Sequence, residues 1–500
     1  MKVRPILQQT RFGSDAAEND DELTKYFVET SSFADIVADQ ADLILGPKGS
    51  GKSAIFRVLA NPDVVISQLN DNDIVPAFNV QGAPLFQKLL EDAPDASETQ
   101  LRAAWWTYIL GLVGNHLIDT YGPGSSEPAE RLRATLEAFG LRRSEDRPRS
   151  LWKVVVDGLR RLVRLEGGLT FNEQGFPLIS GAADFQPELE EDTDHRQTVS
   201  FEELLTLEIA VLDELQRRVW VVFDRLDEAF IGNPDVERGA LRGLLRAHLD
   251  ISSFGPRLRT KLFLRTDIFD RITEKEAFVN LTHIRTLRIS WDDATLEDLV
   301  ARRALESQHF REAFGLEASK TTSPKQRKEV LRALFPEQVD VGSNKPEAFS
   351  WVLRRMTDGT GQRNPRNVIT FLRAGREREL QICDREDPDT SDRNHAGALL
   401  SRPALRDAWP DVSRARLEDT LFAEFAPLRI WIEKFRGVKA THDRETLTQI
   451  LELPPNSAEF DEIVSSLVYA GFLAEQPARY SVPFLYRPAL DVTQGAAFES

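Results

Sequence analysis

Residues 46–53 read Gly-Pro-Lys-Gly-Ser-Gly-Lys-Ser and follow the apolar run Leu43-Ile44-Leu45. No other stretch restricts the fold as strongly. A Gly-x4-Gly-Lys-Ser loop works only between a strand and a helix, where successive backbone N–H groups turn inward around a phosphate chain. Glycine permits that turn because it lacks a Cβ. The run from Lys52 to Leu59 predicts a helix whose positive dipole end faces the same oxyanions. Gly46, Pro47, Lys48, Gly49, Ser50, Gly51, Lys52, Ser53 and Ala54 are therefore candidate nucleotide-binding residues. In this arrangement Lys52 reaches the β- and γ-phosphates, and the Ser53 hydroxyl is a Mg²⁺ ligand. The implied fold class is α/β, with a parallel sheet.

The chain has 500 residues, more than one ordinary core accommodates, so several domains are expected. Cys383 is the only cysteine, which excludes an internal disulfide framework and fits a reducing, cytoplasmic setting. The N-terminal ten residues carry no apolar leader core. The most apolar helical stretch, Trp105–Ile118, includes Asn115 and His116 and is too short to span a bilayer, so no membrane partner is expected. A net charge of −17 opposes nucleic-acid binding by the chain as a whole. One arginine-rich stretch stands out against it: Arg354, Arg355, Arg363, Arg366, Arg373, Arg376 and Arg378.

Helical spacing is expected over Asp21–Phe27, Glu98–Asp119, Glu127–Leu141 and Leu151–Leu165. Ile74–Val80 reads as a strand with an edge or bulge at Pro76. The stretch 167–194 reads as a hairpin followed by an acidic loop. Beyond it, Val219–Phe223, Lys261–Leu264 and Ile284–Ile289 are continuous apolar strands separated by helices, the pattern of a parallel sheet covered on both faces. The expected organisation is a nucleotide-binding core at 1–97 and 201–291, a helical insertion with an acidic loop at 98–200, a helical lid at 292–400 and a C-terminal module at 416–490.

Hydrolysis needs carboxylates as well as a phosphate loop. The strand ending in Val222-Phe223-Asp224 supplies one, and Asp227 and Glu228 follow. Asp224 is the candidate water-mediated Mg²⁺ ligand, and Asp227 or Glu228 the candidate catalytic base. The run Phe223-Asp224-Arg225-Leu226-Asp227-Glu228, with Gly49-Ser50-Gly51-Lys52-Ser53-Ala54, resembles the STAND and KAP branches of AAA+-related P-loop ATPases. It is similar to a bacterial family suspected in stress or phage defence. In the STAND pattern a small residue follows the first Asp; here it is Arg225. The resemblance implies a sensor-1 position at Thr266 or Arg265, a sensor-2 contact at Arg366 on the helix after Asn364-Pro365, and arginine fingers among Arg271, Arg285 and Arg288. No Asn-Lys-x-Asp stretch is present for guanine recognition, so ATP with Mg²⁺ is the expected ligand.

The C-terminal segment predicts helices over Leu417–Phe435, Arg444–Leu451 and Glu459–Ala470, then a hairpin at Gly471–Leu473 and Tyr480–Val482. This resembles a winged helix. No Lys or Arg occurs from Glu445 to Ala478, and the candidate recognition helix carries Glu459, Asp461 and Glu462. Those acids oppose phosphates, which favours packing against protein over DNA. The expected function is an ATP-hydrolysing switch or assembly motor coupled to a partner protein. A DNA-associated loader or initiator ATPase and a low-turnover ATP-binding scaffold are the rivals; homo-oligomerisation stays open.

Overall fold

The computed structural model describes residues 3–77, 97–138, 141–142, 178–180, 198–226, 234–273, 283–319, 322–385 and 397–497. The contacts divide the chain into two units. A sheet unit comprises Ser31–Pro47 and Ile55–Ile289; a helical unit comprises Met1–Thr30, Lys48–Ala54 and Ser290–Ser500.

The sheet unit is built on strands β1 (Leu43–Gly46), β2 (Asn72–Pro76), β5 (Arg218–Phe223), β6 (Leu258–Arg265) and β7 (Thr286–Arg288). They form a five-stranded sheet in the order β2-β5-β6-β1-β7, and every pair is parallel. A short antiparallel pair, β3 (Leu178–Ser180) with β4 (Thr198–Ser200), lies apart from it. β1 and most of β5 and β6 are buried. Their unbroken apolar runs follow from being covered on both faces, where alternation has no solvent side to serve. Leu43, Leu45, Val221, Phe223, Leu262 and Leu264 join one core.

The segment expected to be an insertion supplies the central cover of that core. The helix Glu98–Tyr121 starts with a capping box, in which Ser97 Oγ accepts from Gln100 N and Gln100 Oε1 accepts from Ser97 N at 2.8 Å. It buries Trp105 and Trp106 completely. Trp105 donates its indole N–H to Ala240 O at 2.8 Å and meets Phe223 of β5 edge-on at 5.8 Å. The partner helix Pro234–Ser253 presents Gly239 and Gly243, one turn apart, and a Cβ at Gly243 would lie 2.9 Å from Arg102 N. The small residues let the two helices approach closely. The expected helix over Leu151–Leu165 and the acidic loop lie outside the described residues.

A charged cluster gathers at the amino ends of β1 and β7, level with the middle of β6. Lys261 is fully buried in β6, and its Nζ donates to Asp39 Oδ1 at 2.5 Å, Ala41 O at 2.7 Å and Asp42 Oδ1 at 3.0 Å, while lying over the Trp220 ring. Arg285 donates to both Asp42 carboxylate oxygens, at 2.8 and 2.7 Å. Burial alone would raise the Asp42 carboxyl, but Arg285 and Lys261 hold it below its usual range. His248, buried beside Thr260 Oγ1 at 2.6 Å, is pushed down to about 4 by burial and by Arg259, Lys261 and Arg285, against the pull of Asp42. Its folded pKa lies below the ordinary 6.5, so the unfolded chain takes the proton first as pH falls. Stability is then lost between pH 6.5 and pH 4, by up to about 3 kcal/mol. Urea unfolding across that window should show a steeper loss in the natural chain than in His248→Gln; equal slopes would remove His248 as the cause.

The helical unit carries helices Asp293–Leu305, Gln308–Phe314, Pro324–Leu334, Ala348–Met356, Pro365–Arg385 and Arg402–Arg416. Ser307, Ser323 and Ser401 cap three of them, and Asp292 with Thr295 forms a capping box on the first. Val3, Ile6, Leu7, Phe12 and Val28 enter the same core as Val300, Val352 and Phe371, which ties the N-terminal segment to this unit. The expected helix over Asp21–Phe27 is only a single 3₁₀ turn, Leu23–Lys25. There Asp20 and Tyr26 are spent on each other and Arg303 rather than on a helical ladder.

The C-terminal module places helix Arg429–Glu433, β8 (Lys439–His442), helices Arg444–Leu451 and Ala458–Tyr469, and a hairpin of β9 (Ala474–Gln476) and β10 (Arg479–Ser481) in that order. A further strand, β11 (Thr493–Ala496), pairs parallel with β8, giving the order β11-β8-β10-β9. The expected continuous helix over Leu417–Phe435 is instead broken into a π-helical turn at Leu417–Leu421, a 3₁₀ turn at Ala426–Leu428 and Arg429–Glu433. Pro427 has no amide hydrogen to continue a ladder.

Candidate functional site

Parallel strands gather the candidate residues of the sheet unit at their carboxyl ends. Gly46 ends β1 and is paired with Arg265 at the end of β6. Asp224 follows Phe223, which is paired with Leu262 of the same strand. β6 separates β1 from β5, so Gly46 and Asp224 leave the sheet two strand spacings apart, about 10 Å. Chain direction across the sheet also reverses at β1, since the next strand, β2, lies at one edge and β7 at the other. Such a reversal opens a crevice at the carboxyl edge.

Asp224 is buried. Arg225, next to it, adopts φ +57°, a left-handed conformation that costs a residue with a Cβ about 1–2 kcal/mol. The strand leaves the sheet there by a sharp turn that glycine would make without strain. Thr266 opens the helix Thr266–Thr273 directly after β6, beside the end of β1. Arg265 forms a bidentate pair with Asp267, at 3.1 and 2.7 Å. Asp227 and Glu228 lie outside the described residues.

Of the arginine-finger candidates, Arg285 is committed to Asp39 and Asp42 at the opposite ends of the strands. That placement corrects the expectation: its half-exposed guanidinium is spent on an internal pair. Arg271 pairs with Glu237. Arg288 is 59% exposed and 3.9 Å from Asp270.

The loop itself has the backbone that a phosphate needs. Gly49 and Gly51 adopt φ +81° and +100°, on either side of Ser50. Alternating left-handed residues turn neighbouring N–H groups to one side and make an anion-binding concavity. The helix Lys52–Ala60 begins where that concavity ends. With Lys52 and Ser53 at its head, the donor set fits a polyphosphate and a hard divalent cation.

Within the helical unit, the sensor-2 candidate lies against this loop. A Cβ at Gly49 would sit 2.8 Å from Arg366 Cβ and 2.9 Å from Asn364 Oδ1. Arg366 Nε donates to Asp15 O at 3.2 Å. Two residues unmarked by the sequence reading also touch the loop: Asn364 donates to Lys48 O at 2.6 Å and Trp291 donates to Ser50 O at 2.8 Å. Lys48 Nζ donates to Asp419 O at 3.0 Å. The Asn-Pro step before a helix was the visible signal for Asn364; nothing local marks Trp291.

The arginine-rich stretch is largely internal wiring. Arg363 pairs with Asp293, Arg373 with Asp15 and Arg378 with Asp411. Arg376 donates to Leu7 O at 2.7 Å. Arg355 stacks on Trp351 at 3.5 Å and on Trp409, and burial pushes its guanidinium down to about 10. Among the described residues, no group of three or more His, Cys, Asp or Glu is arranged to hold a metal, and no helix is long and apolar enough to cross a membrane.

Residues 11–82 match the ORC-CDC6-like family, a stretch that contains β1, the loop and its helix. No curated protein sequence matches the chain. Among solved structures, the chain is similar to the Walker-type ATPase of Pyrococcus abyssi at 9% identity and TM-score 0.39, covering 96% of this chain and 98% of that one. It is also similar to the ORC1 protein of Aeropyrum pernix, solved in complex with DNA, at 12% identity and TM-score 0.35, covering 96% of each. The ORC2 protein of the same organism, solved in ADPNP-ADP complexes, gives 12% identity and TM-score 0.27 over 90% of this chain and 86% of that one. The fold rests on the molecule's own features: a parallel sheet with the glycine loop at the carboxyl end of β1, flanked by β6 and β7. The chain has the P-loop NTPase fold.

Proposed function

We propose that this chain binds ATP with Mg²⁺ at the loop Gly46–Ser53 and hydrolyses it as a conformational switch coupled to a partner protein. The observation that carries the reading is the pair of left-handed glycines, Gly49 and Gly51, in the loop that follows β1. Lys52 binds the terminal phosphates. The Ser53 hydroxyl is the loop's Mg²⁺ ligand, and Asp224 is the strand's water-mediated one. Bound Mg²⁺ supplies neutralisation of phosphate charge. Thr266 and Arg366 are the candidate γ-phosphate contacts, and Asp227 or Glu228 the candidate base that orients the attacking water. Saturable Mg·ATP binding and phosphate release by the purified chain, both lost in Lys52→Ala, test the reading; equal affinity in that variant removes it.

The C-terminal module, read as a winged helix, supports a protein partner. Glu445, Glu452, Glu459, Asp461, Glu462 and Glu475 are all exposed. A second reading, a DNA-associated initiator-type ATPase, is favoured by the family match over residues 11–82. The acidic module and the internally paired arginines weigh against it. Anisotropy titration with duplex DNA at low salt is expected to show no saturable binding. Tight binding that collapses steeply with added salt would favour the initiator reading instead.

A further inference from the structure

A phosphate loop presents its amides only if its carbonyls point the other way, so whatever holds the carbonyls sets the cradle. Here two of them are held by side chains distant in sequence. Asn364 Nδ2 donates to Lys48 O at 2.6 Å, and its Oδ1 accepts from Arg366 N at 3.1 Å. A carbonyl on one side and an N–H on the other leave the amide a single orientation that satisfies both. Asn364 is also buried, so the bond is shielded from competing water. Trp291 donates its indole N–H to Ser50 O at 2.8 Å, and its ring edge lies 3.6 Å from where a Gly51 Cβ would be. The two held carbonyls flank Gly49, whose φ of +81° produces the turn.

The segment that carries Asn364 is held at its other end by the C-terminal module. Gly359 N donates to Gly471 O at 2.7 Å, and a Cβ at Gly359 would lie 2.8 Å from that oxygen. Asp358 Oδ1 accepts from Thr360 N at 3.0 Å and Gln362 N at 3.1 Å, which folds the segment into a compact loop. Lys48 itself donates to Asp419 O in the π-helical turn Leu417–Leu421.

We infer that Asn364 and Trp291 are positioning residues that hold the phosphate loop in its nucleotide-competent form, and that the segment Asp358–Arg366 makes this form depend on the docked C-terminal module. The inference rests on the ATP-binding reading above and names how that site is regulated. Neither residue needs to touch the nucleotide. Displacing the module by a partner would release Gly359 and Lys48 and loosen the cradle.

The test uses the full chain with Asn364→Asp, which keeps the size and the Oδ1 acceptor but loses the donor, and Trp291→Phe, which keeps a ring but loses the N–H. Hydrogen–deuterium exchange of the amides of 48–53 is measured without nucleotide, alongside the Mg·ATP dissociation constant and the thermal midpoint. Each variant is expected to exchange these amides about tenfold faster, and Trp291→Phe to bind Mg·ATP about tenfold more weakly, the loss of one buried hydrogen bond; Asn364→Asp, whose added carboxylate charge itself opposes phosphate, is judged by the exchange without nucleotide. The thermal midpoint should stay near that of the natural chain. Gly359→Ala, remote from the loop, is expected to accelerate the same amides. Unchanged exchange in both Asn364→Asp and Trp291→Phe overturns the positioning role, and unchanged exchange in Gly359→Ala overturns the dependence on the module. If the natural chain binds no Mg·ATP, the functional reading fails, and the exchange measurements still decide the inference.

Discussion

Replacing Lys52 with alanine is expected to weaken Mg·ATP binding by about 100-fold while the chain stays folded. The magnitude follows from what the side chain does in a loop of this geometry. Its ammonium is the proposed phosphate ligand of the cradle, and charge-assisted hydrogen bonds to phosphate contribute about 1.5–3 kcal/mol each. Losing about 3 kcal/mol corresponds to about two decades in Kd. Lys52 is half-buried at the head of its helix, so truncation opens no core cavity. The measurement is calorimetric titration with Mg·ATP, with circular dichroism and a melting curve for each protein. An affinity within twofold of the natural chain, on folded protein, would sink the nucleotide-binding role of the loop. Turnover separates the roles further. Asp224 is the strand's proposed Mg²⁺ ligand, so Asp224→Asn should slow phosphate release more than it weakens binding.

Lys261→Met should have the largest effect on stability. Lys261 is fully buried and gives hydrogen bonds to Asp39, Ala41 and Asp42. Methionine fills much of the volume but leaves Asp42, itself buried, with one cation fewer. Breaking a buried pair from one side costs about 3–5 kcal/mol, because the remaining charge is uncompensated. At about 2–4 °C per kcal/mol for a unit of this size, the melting midpoint should fall by about 10 °C. The cycle with Asp42→Asn is the informative one: neutralising the partner should recover part of the loss. Additive losses in the double variant would show that Lys261 acts through packing over Trp220 rather than through the charge pair.

Much of the sheet, and of the edge where its candidate residues meet, was legible in the chain because the signals are local. Leu43-Ile44-Leu45 before the glycine loop, and Val219–Phe223 before Asp224, are apolar runs too continuous for a strand with a solvent face. Their carboxyl ends are where parallel strands deliver loops to one edge, so Gly46 and Asp224 share that edge. What misled were signals whose partners are distant. The arginines from Arg354 to Arg378 read as a basic surface, yet Asp15, Asp293 and Asp411 stand opposite three of them. Arg285 read as one of three arginine-finger candidates, yet Asp42, some 243 residues earlier, takes it into an ion pair. Helix 98–121 read as part of an insertion because the chain interrupts the strand pattern there, and the structure adds that its Trp105 packs on Phe223 of β5. Leu417–Phe435 has helical spacing, and only the structure shows the break around Pro427 and, before it, the π-helical turn whose Asp419 carbonyl receives Lys48.

The sequence by itself determined where the glycine loop lies, between a strand and a helix, and the proposed ligand class follows from that. Eight consecutive residues, 46–53, suffice to specify a phosphate cradle, because glycine torsions, a helix dipole and one lysine act over a few ångströms along the chain. Only the tertiary structure decided what holds that cradle in shape. Asn364 and Trp291 reach Lys48 O and Ser50 O from more than 200 residues away. No pattern along the chain encodes a carbonyl's distant partner, since a buried polar group needs a donor but does not specify which residue brings it.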